Sequence, residues 1–384
     1  MAKILFVSLN EPCKSAMNIG GVVVLVNDIL FASNPAIDVD LIVYNKEKIS
    51  SELPLNIHFV PWNKIVTKVK KRNALASIPK SMFRDYSCYE IDLNGYDKVI
   101  YYPYWCSLFR LKNNHANIFT IGMDSGPMLY LRGFVNHQWW LAKVFCIYEF
   151  MQALYIDKKS TKISKFIFTV GETDAEFYRS IYLANAKFIP HNVSKLINPY
   201  TPQKWGDNEK LKLCLPGGMT KFYVANLLDD IVDKIIENNN FYTNRIELSF
   251  LGKIRYKELG KKLNVLLKKG IKIEFTEFAE NFEEYISQQH LILMPLEVGA
   301  GTKNRALSTI GMGLDIIGTP IALENIYGVK KEHLAYDAYD FIRLINLRLE
   351  HHRLYGLSQE EILKFKEWHS VDQWRQNFWK VIEE

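Results

Sequence analysis

The chain has 384 residues, long for one hydrophobic core and suited to two domains of ordinary size. Its 48% hydrophobic and 23% charged residues exclude a disordered chain. Lys and Arg exceed Asp and Glu by 48 to 42, a formal net charge of +6 that permits an anionic ligand or surface but is too mild to call for nucleic acid. The five cysteines, Cys13, Cys88, Cys106, Cys146 and Cys214, are scattered and form no C-x-x-C pair, as expected of a reduced cytosolic chain. The apolar run Ile4 to Leu9 is too short for a signal peptide, and no run is long and apolar enough to span a bilayer. A soluble or peripheral protein is expected.

Ile4 to Leu9 reads as a first buried strand, and Gly20-Gly21 precedes an apolar helix from Val22 to about Ala32. Further strands are predicted at Val39 to Tyr44, Ile57 to Val60, Val99 to Tyr102 and Ile118 to Ile121. Strands recurring with crossovers point to a parallel α/β sheet. Residues 62–84 hold seven basic side chains and no acid, with Ile65, Val66 and Val69 at helical spacing. This predicts a basic amphipathic helix, suited either to anionic lipid or to packing on its own domain.

The strand ending at Gly122 is followed by Asp124-Ser125-Gly126-Pro127, polar groups just beyond a strand's carboxyl end, where open α/β sheets bind ligands. The segment Gln138 to Tyr155 has helical apolar spacing and contains Tyr148-Glu149; its aromatics are expected in the core. A strand at Lys165 to Val170, a helix at Glu172 to Ile181 and a strand at Phe188 to Val193 complete the first half. His191 reads as a loop residue with a satisfied ring. Ser194 to Glu209, with two prolines and little periodicity, reads as a linker.

The second half repeats the pattern. A strand at Leu211 to Leu215 runs into the turn Pro216-Gly217-Gly218-Met219-Thr220-Lys221 and a helix from Val224 to Ile236. Gly218 and Lys221 are candidates for a diphosphate, with a helix start and exposed lysine as the plainer alternative. A βαβ unit follows through Ile246 to Phe250, Leu259 to Leu267 and Ile271 to Phe275. Leu291 to Leu323 then reads as strand, glycine turn, helix, glycine turn and strand. Gly299-Ala300-Gly301 leaves room for close backbone approach, and Thr302, Lys303 and Asn304 follow where the helix opens. Two readings compete: a phosphate cradle, and a plain turn with solvated Lys303 and Arg305. No G-x-G-x-x-G follows a strand with an acid about twenty residues later, which argues against hydride transfer.

The string GAGTKNRALSTIGMGLDIIGTP resembles the donor-binding segment of family-four glycosyltransferases of the GT-B fold. The order Asp124-Ser125, Arg132, Tyr148-Glu149 and FIFTVGETDAEFYRS is similar to the acceptor half of a subgroup from bacterial exopolysaccharide pathways. The resemblance implies a retaining, metal-independent transfer of sugar from a nucleotide diphosphate, with no cofactor beyond the sugar nucleotide as co-substrate. It also implies that Gly20 and Gly21 face the donor phosphates, that the loop around Phe278 meets the base, and that the C-terminal helix returns to the first domain. One departure is plain. Two family carboxylates fall here on Ala300 and Ser308, so the ribose would meet a single hydroxyl in place of two acceptor oxygens.

The resulting expectation is two facing Rossmann-like domains, 1–195 and 210–365, joined by a linker at 196–209 and closed by a returning helix at 366–384. Gly301, Thr302, Lys303 and Asn304 would stabilise the departing diphosphate. Asp124 would position or deprotonate the acceptor, supported by Glu149. The acceptor would be a saccharide or lipid-linked saccharide, and the location the cytoplasm or the inner face of the membrane. A nucleotide-sugar epimerase and a non-catalytic sugar-nucleotide binding protein remain as alternatives.

Overall fold

The computed structural model describes residues 2–12, 21–69, 88–112, 117–122, 124–193, 205–218, 220–254 and 256–384. The chain forms two compact units. The first holds residues 1–128, 148–192 and 370–384, and the second holds 129–147 and 193–369.

In the first unit the strands are β1 (Ile4–Ser8), β2 (Val39–Val43), β3 (Ile57–Phe59), β4 (Val66–Lys68), β5 (Tyr89–Ile91), β6 (Lys98–Tyr102), β7 (Arg110–Leu111), β8 (Asn117–Gly122), β9 (Phe166–Thr169) and β10 (Ala186–Phe188). Seven of them form one parallel sheet in the order β10-β9-β8-β6-β1-β2-β3. Both faces are covered. Ile4 and Phe6 of β1 pack in one apolar cluster while Leu5 and Val7 pack in another, which is why the strand reads as an unbroken apolar run. The C-terminal segment lies in the first of these clusters through Trp374, Phe378, Trp379 and Ile382. Trp379 Nε1 donates to the Ile29 carbonyl at 2.8 Å, so even the indole N–H is satisfied inside the core.

The second unit has β11 (Leu211–Pro216), β12 (Ile246–Leu251), β13 (Lys272–Thr276), β14 (Leu291–Met294) and β15 (Asp315–Gly318), all parallel, in the order β13-β12-β11-β14-β15. The order reverses between β11 and β14, and their carboxyl ends therefore define the crevice where such sheets bind ligands. Asp315 and Arg348, both fully buried, pair through two bonds of 2.8 and 2.7 Å and tie β15 to the helix Ala338–His351.

Several expectations are corrected. The basic helix predicted from residue 62 is one turn, Trp62–Ile65, after which Val66–Lys68 pairs antiparallel with β5. Ile65 and Val66 are buried in the first unit, and β-branching at Val66 and Thr67 favours the extended form. Residues 70–87 lie outside the described set. The last strand of the first half stops at Phe188, because Pro190 has no N–H to continue a ladder. The single helix predicted from Val224 is broken at Ala225, whose φ is 43°; a one-turn helix Lys221–Val224 precedes and Leu227–Glu237 follows. Most of the expected linker, 194–204, is outside the described residues, while Trp205 packs on the core of the second unit.

The aromatic helix, Trp140–Ile163, is inverted relative to expectation. Its buried stripe consists of Cys146, Glu149, Ala153, Ile156, Asp157 and Ser160. Trp140, Phe145, Tyr148 and Tyr155, expected in the core, are exposed. Periodicity defines a helix but cannot say which face turns inward when both carry apolar groups.

Candidate anion site at the strand-order reversal

Two loops meet at the carboxyl ends of β11 and β14. After β11, Gly217 adopts a φ of +113°, a region open to glycine, and its N–H donates to the Leu251 carbonyl at 2.5 Å. After β14, the N–H groups of Glu297 and Val298 donate to the Tyr223 carbonyl at 2.9 and 3.1 Å, stitching this loop to the one-turn helix beyond β11. The Glu297 carboxylate accepts from Asn226 and Leu227 N–H at 3.2 Å each and thereby caps the helix Leu227–Glu237. Burial raises its pKa, and those two bonds oppose the rise.

The helix Asn304–Gly311 opens at the end of the β14 loop with Lys303 in the N-cap position and no side chain capping it. Its first N–H groups point out of the helix end, so the site carries the positive end of the dipole without an internal acceptor. Thr302 is buried, Gly301 has a φ of 62°, and the Asn304 Oδ1 is buried without a hydrogen-bond partner. Ser308 lies one turn into the helix on the Asn304 face, four residues on.

Two cations flank this helix start with opposite fates. Lys303 Nζ donates to the carbonyls of Ala300 and Gly301 at 3.1 and 2.6 Å and to Glu324 Oε1 at 2.8 Å. Glu324 also takes a bidentate pair from Arg132 at 2.8 Å for each bond, and Arg132 donates to the Gly299 carbonyl at 2.7 Å. Lys303 thus fixes the glycine loop from within.

Arg305 is the opposite case. Its guanidinium lies directly over Gly217, where a Cβ would overlap it, and among the described residues no acidic side chain pairs with it. The residue is exposed, yet crowding against the turn desolvates the head group and lowers its pKa, with no neighbouring charge contributing. A guanidinium held over a glycine turn, beside an uncapped helix N-terminus, at the reversal of strand order, is arranged for a multiply charged anion. In the sequence Arg305 is a solvated side chain at a helix start; only the fold brings it against the turn of a different strand.

The remaining predicted residues fall as follows. Gly218 follows Gly217 at the turn, while Lys221 pairs with Asp229 at 2.6 Å and stays half exposed. Phe278 is exposed in the loop after β13. Beside it, at the ends of β12 and β13, opens a cleft of about 800 Å³ whose lining includes Gly252, Tyr256, Phe275 and Glu277. In the first unit Gly20 is outside the described residues and Gly21 begins the helix Gly21–Phe31. Asp124 is exposed just past β8, next to Ser125, whose N–H donates to Asp174 at 2.8 Å. Glu149 is buried. His191 is buried, and burial lowers its pKa. Among the described residues no group of three or more His, Cys, Asp or Glu side chains is placed to hold a metal ion.

Two Rossmann-like units of this topology constitute the GT-B fold. Solved structures with the same architecture include a trehalose-phosphate synthase from Burkholderia vietnamiensis, 9% identical, TM-score 0.61, covering 100% of this chain and 99% of the other. An apo lipopolysaccharide outer core galactosyltransferase, WaaB, is 12% identical with a TM-score of 0.60 and 99% coverage of both chains. Anabaena HepE in complex with UDP-glucose is 7% identical, with a TM-score of 0.58 and full coverage of both. No family model matches the sequence, and no curated protein is similar to it by sequence.

Proposed function

We propose that this protein is a glycosyltransferase that moves a sugar from a nucleotide-diphosphate donor to a saccharide or lipid-linked saccharide in bacterial surface polysaccharide or glycoconjugate synthesis. The observation that carries the reading is Arg305, a guanidinium without a carboxylate partner among the described residues, poised over Gly217 at the end of β11. The fold supports it, since HepE of the same architecture is seen with UDP-glucose.

In this reading the diphosphate takes charge from Arg305 and N–H groups from Gly218, Gly301, Thr302 and Asn304, with Ser308 meeting the ribose. Charge grows on the leaving phosphate as the bond to the sugar's anomeric carbon breaks, so a fixed cation there acts on the transition state more than on the ground state. The acceptor oxygen bonds to the anomeric carbon on the face the phosphate leaves, and its proton passes to a phosphate oxygen, giving retention. Arg305 also supports metal independence, because it supplies positive charge at that point. Lys303 holds the loop, and Asp124 positions the acceptor or takes part in removing its proton. Glu149, being buried, would act only through its neighbours.

Ala300 and Ser308 favour a second reading, a sugar-nucleotide binding protein without transfer. The deciding experiment is a thermal-shift screen with uridine, guanosine, adenosine and thymidine diphosphates, followed by donor turnover. One diphosphate at 100 times its Kd should stabilise the protein by about 2.7 kcal/mol. Arg305→Ala should cut that stabilisation to about 0.4–1.4 kcal/mol at the same ligand concentration without lowering the unliganded Tm. Absence of stabilisation by any nucleoside diphosphate would overturn both readings, and binding without donor hydrolysis or transfer would select the second.

A further inference from the structure

A second cleft, of about 520 Å³, is lined entirely by residues of the first unit. Its walls are the short strands β5 and β7, the turn Tyr104–Leu108 beyond β6, and the end of the helix that stops at Ile163. The volume falls within the range of roughly 300–1,000 Å³ usual for small-molecule sites. Asp124, the acceptor candidate, is not among the lining residues, so the transferase reading leaves this cleft unused.

The charges around it are held apart. β5 and β7 run parallel with Glu90 opposite Arg110, which puts the two side chains on one face of the small sheet. Opposite charges in such register favour contact, yet both residues line the cleft and they form no ion pair. Among the described residues no acid pairs with Arg110. Two positions further on, Lys112 does bond Asp92, at 2.9 Å, so an acid within reach is taken up on these same strands. Lys159 brings a second cation: its Nζ donates to the Leu108 carbonyl at 3.4 Å, which keeps the ammonium beside the cleft. Ser107 also lines the cleft, is 1% exposed, and its Oγ has no hydrogen-bond partner. Buried hydroxyls are nearly always paired, so an open one at a cleft wall points to an occupant. Phe109 and Ile163 supply apolar surface.

Each group selects a property of that occupant. Arg110 and Lys159 call for an acid group, and the planar fork of Arg110 matches a carboxylate or a phosphate. Glu90 accepts from hydroxyls and repels a bare anion. Ser107 offers one more hydroxyl contact, and the apolar wall suits the C–H face of a ring. A sugar that carries an acid group meets all of these demands. We propose that this cleft binds an anionic saccharide unit bearing a carboxylate or a phosphate. The proposal concerns the first unit alone and does not rest on the transferase reading.

The test is calorimetry of the full chain with glucuronate, glucose 6-phosphate, glucose and inorganic phosphate. At least one of the two acidic sugars should bind, with glucose at least roughly tenfold weaker because it forms no charged hydrogen bonds. Arg110→Gln should weaken that acidic sugar by roughly tenfold, while Arg305→Ala leaves it unchanged. Glu90→Gln should lower the preference for glucose 6-phosphate over inorganic phosphate by roughly fivefold. Ser107→Ala should weaken the sugar by roughly 2- to 10-fold and leave the unliganded Tm equal or higher, since its Oγ gives up no bond in the free protein. Failure of both acidic sugars to bind would overturn the proposal, as would equal affinity for inorganic phosphate and glucose 6-phosphate, which would mark a bare anion site. Binding that Arg305→Ala abolishes and Arg110→Gln spares would place the ligand in the second unit and equally overturn it. An affinity untouched by Ser107→Ala would reduce Ser107 to a structural hydroxyl and remove it from the site.

Discussion

Lys303 and Arg305 stand two residues apart at one helix start, and the structure gives them opposite surroundings. Lys303 lies on the inner side, 14% exposed, and shares Glu324, itself 11% exposed, with Arg132. Arg305 lies on the outer side against Gly217 and meets no acid among the described residues. A charge already paired in a partly dry site organises its loop, whereas one that meets no acid among the described residues, beside an uncapped helix start, is available to a ligand. Sequence motifs weigh the two equally; partners separate them.

The comparison breaks most visibly at Glu324. Glu324→Ala leaves Arg132 and Lys303 facing each other without their shared carboxylate, and should cost about 3 kcal/mol of stability, near the lower end for broken buried pairs because neither is fully enclosed. Urea unfolding would measure it; an unchanged midpoint would mean that the pair is dispensable and Lys303 is free to serve a ligand. Next in size is the ligand side. Arg305→Ala should weaken binding of the preferred nucleoside diphosphate by roughly 10- to 100-fold, the worth of one charged hydrogen-bonding group, with the unfolding midpoint preserved. Lys303→Ala should show the reverse balance, a lower midpoint with a smaller change in affinity. If the two variants behave alike, the distinction between the inner and outer cation fails.

The same logic extends to an acidic side chain in the first unit. Asp157 is buried, and burial raises its pKa well above the ordinary carboxylate range while the Tyr178 hydroxyl opposes the rise. The folded state therefore holds a proton that the unfolded chain releases above about pH 3.9. Stability from this group is fully present below that pH and is lost as pH rises toward the folded-state pKa. Asp157→Asn should raise stability by about 1–3 kcal/mol at pH 8 and leave it unchanged at pH 3, as followed by denaturant midpoints. Equal effects at both pH values would show that the carboxyl is not the titrating group.

The smallest expected effect sharpens the outer site. Ser308→Glu restores two acceptor oxygens on the Asn304 face and should tighten nucleotide binding about fivefold by calorimetry. If Ser308→Glu abolishes binding while Ser308→Ala leaves it intact, the ribose is held elsewhere.

Local chemistry in the sequence determined most of the elements. Apolar runs ended by Pro or Gly, such as Leu291 to Met294, are strands because both of their faces are buried, and the helix after Lys303 starts where the glycine turn ends. Two successive α/β halves, the glycine turns and the candidate anion-binding helix follow from that pattern and from the resemblance at residues 299–320. Tertiary structure decided which charges remain available. Glu324 is 21 residues from Lys303, and Arg132 is 192 residues from Glu324, so no local window can pair them. Arg305 acquires its role from Gly217, on another strand's turn. Residues 129–147 join the second unit through contacts such as Asn136 to the Glu297 carbonyl at 2.6 Å, which chain order cannot foretell. The orientation of Trp140–Ile163 was likewise undetermined, because an apolar repeat fixes the helical period and leaves the choice of buried face to whatever packs against it.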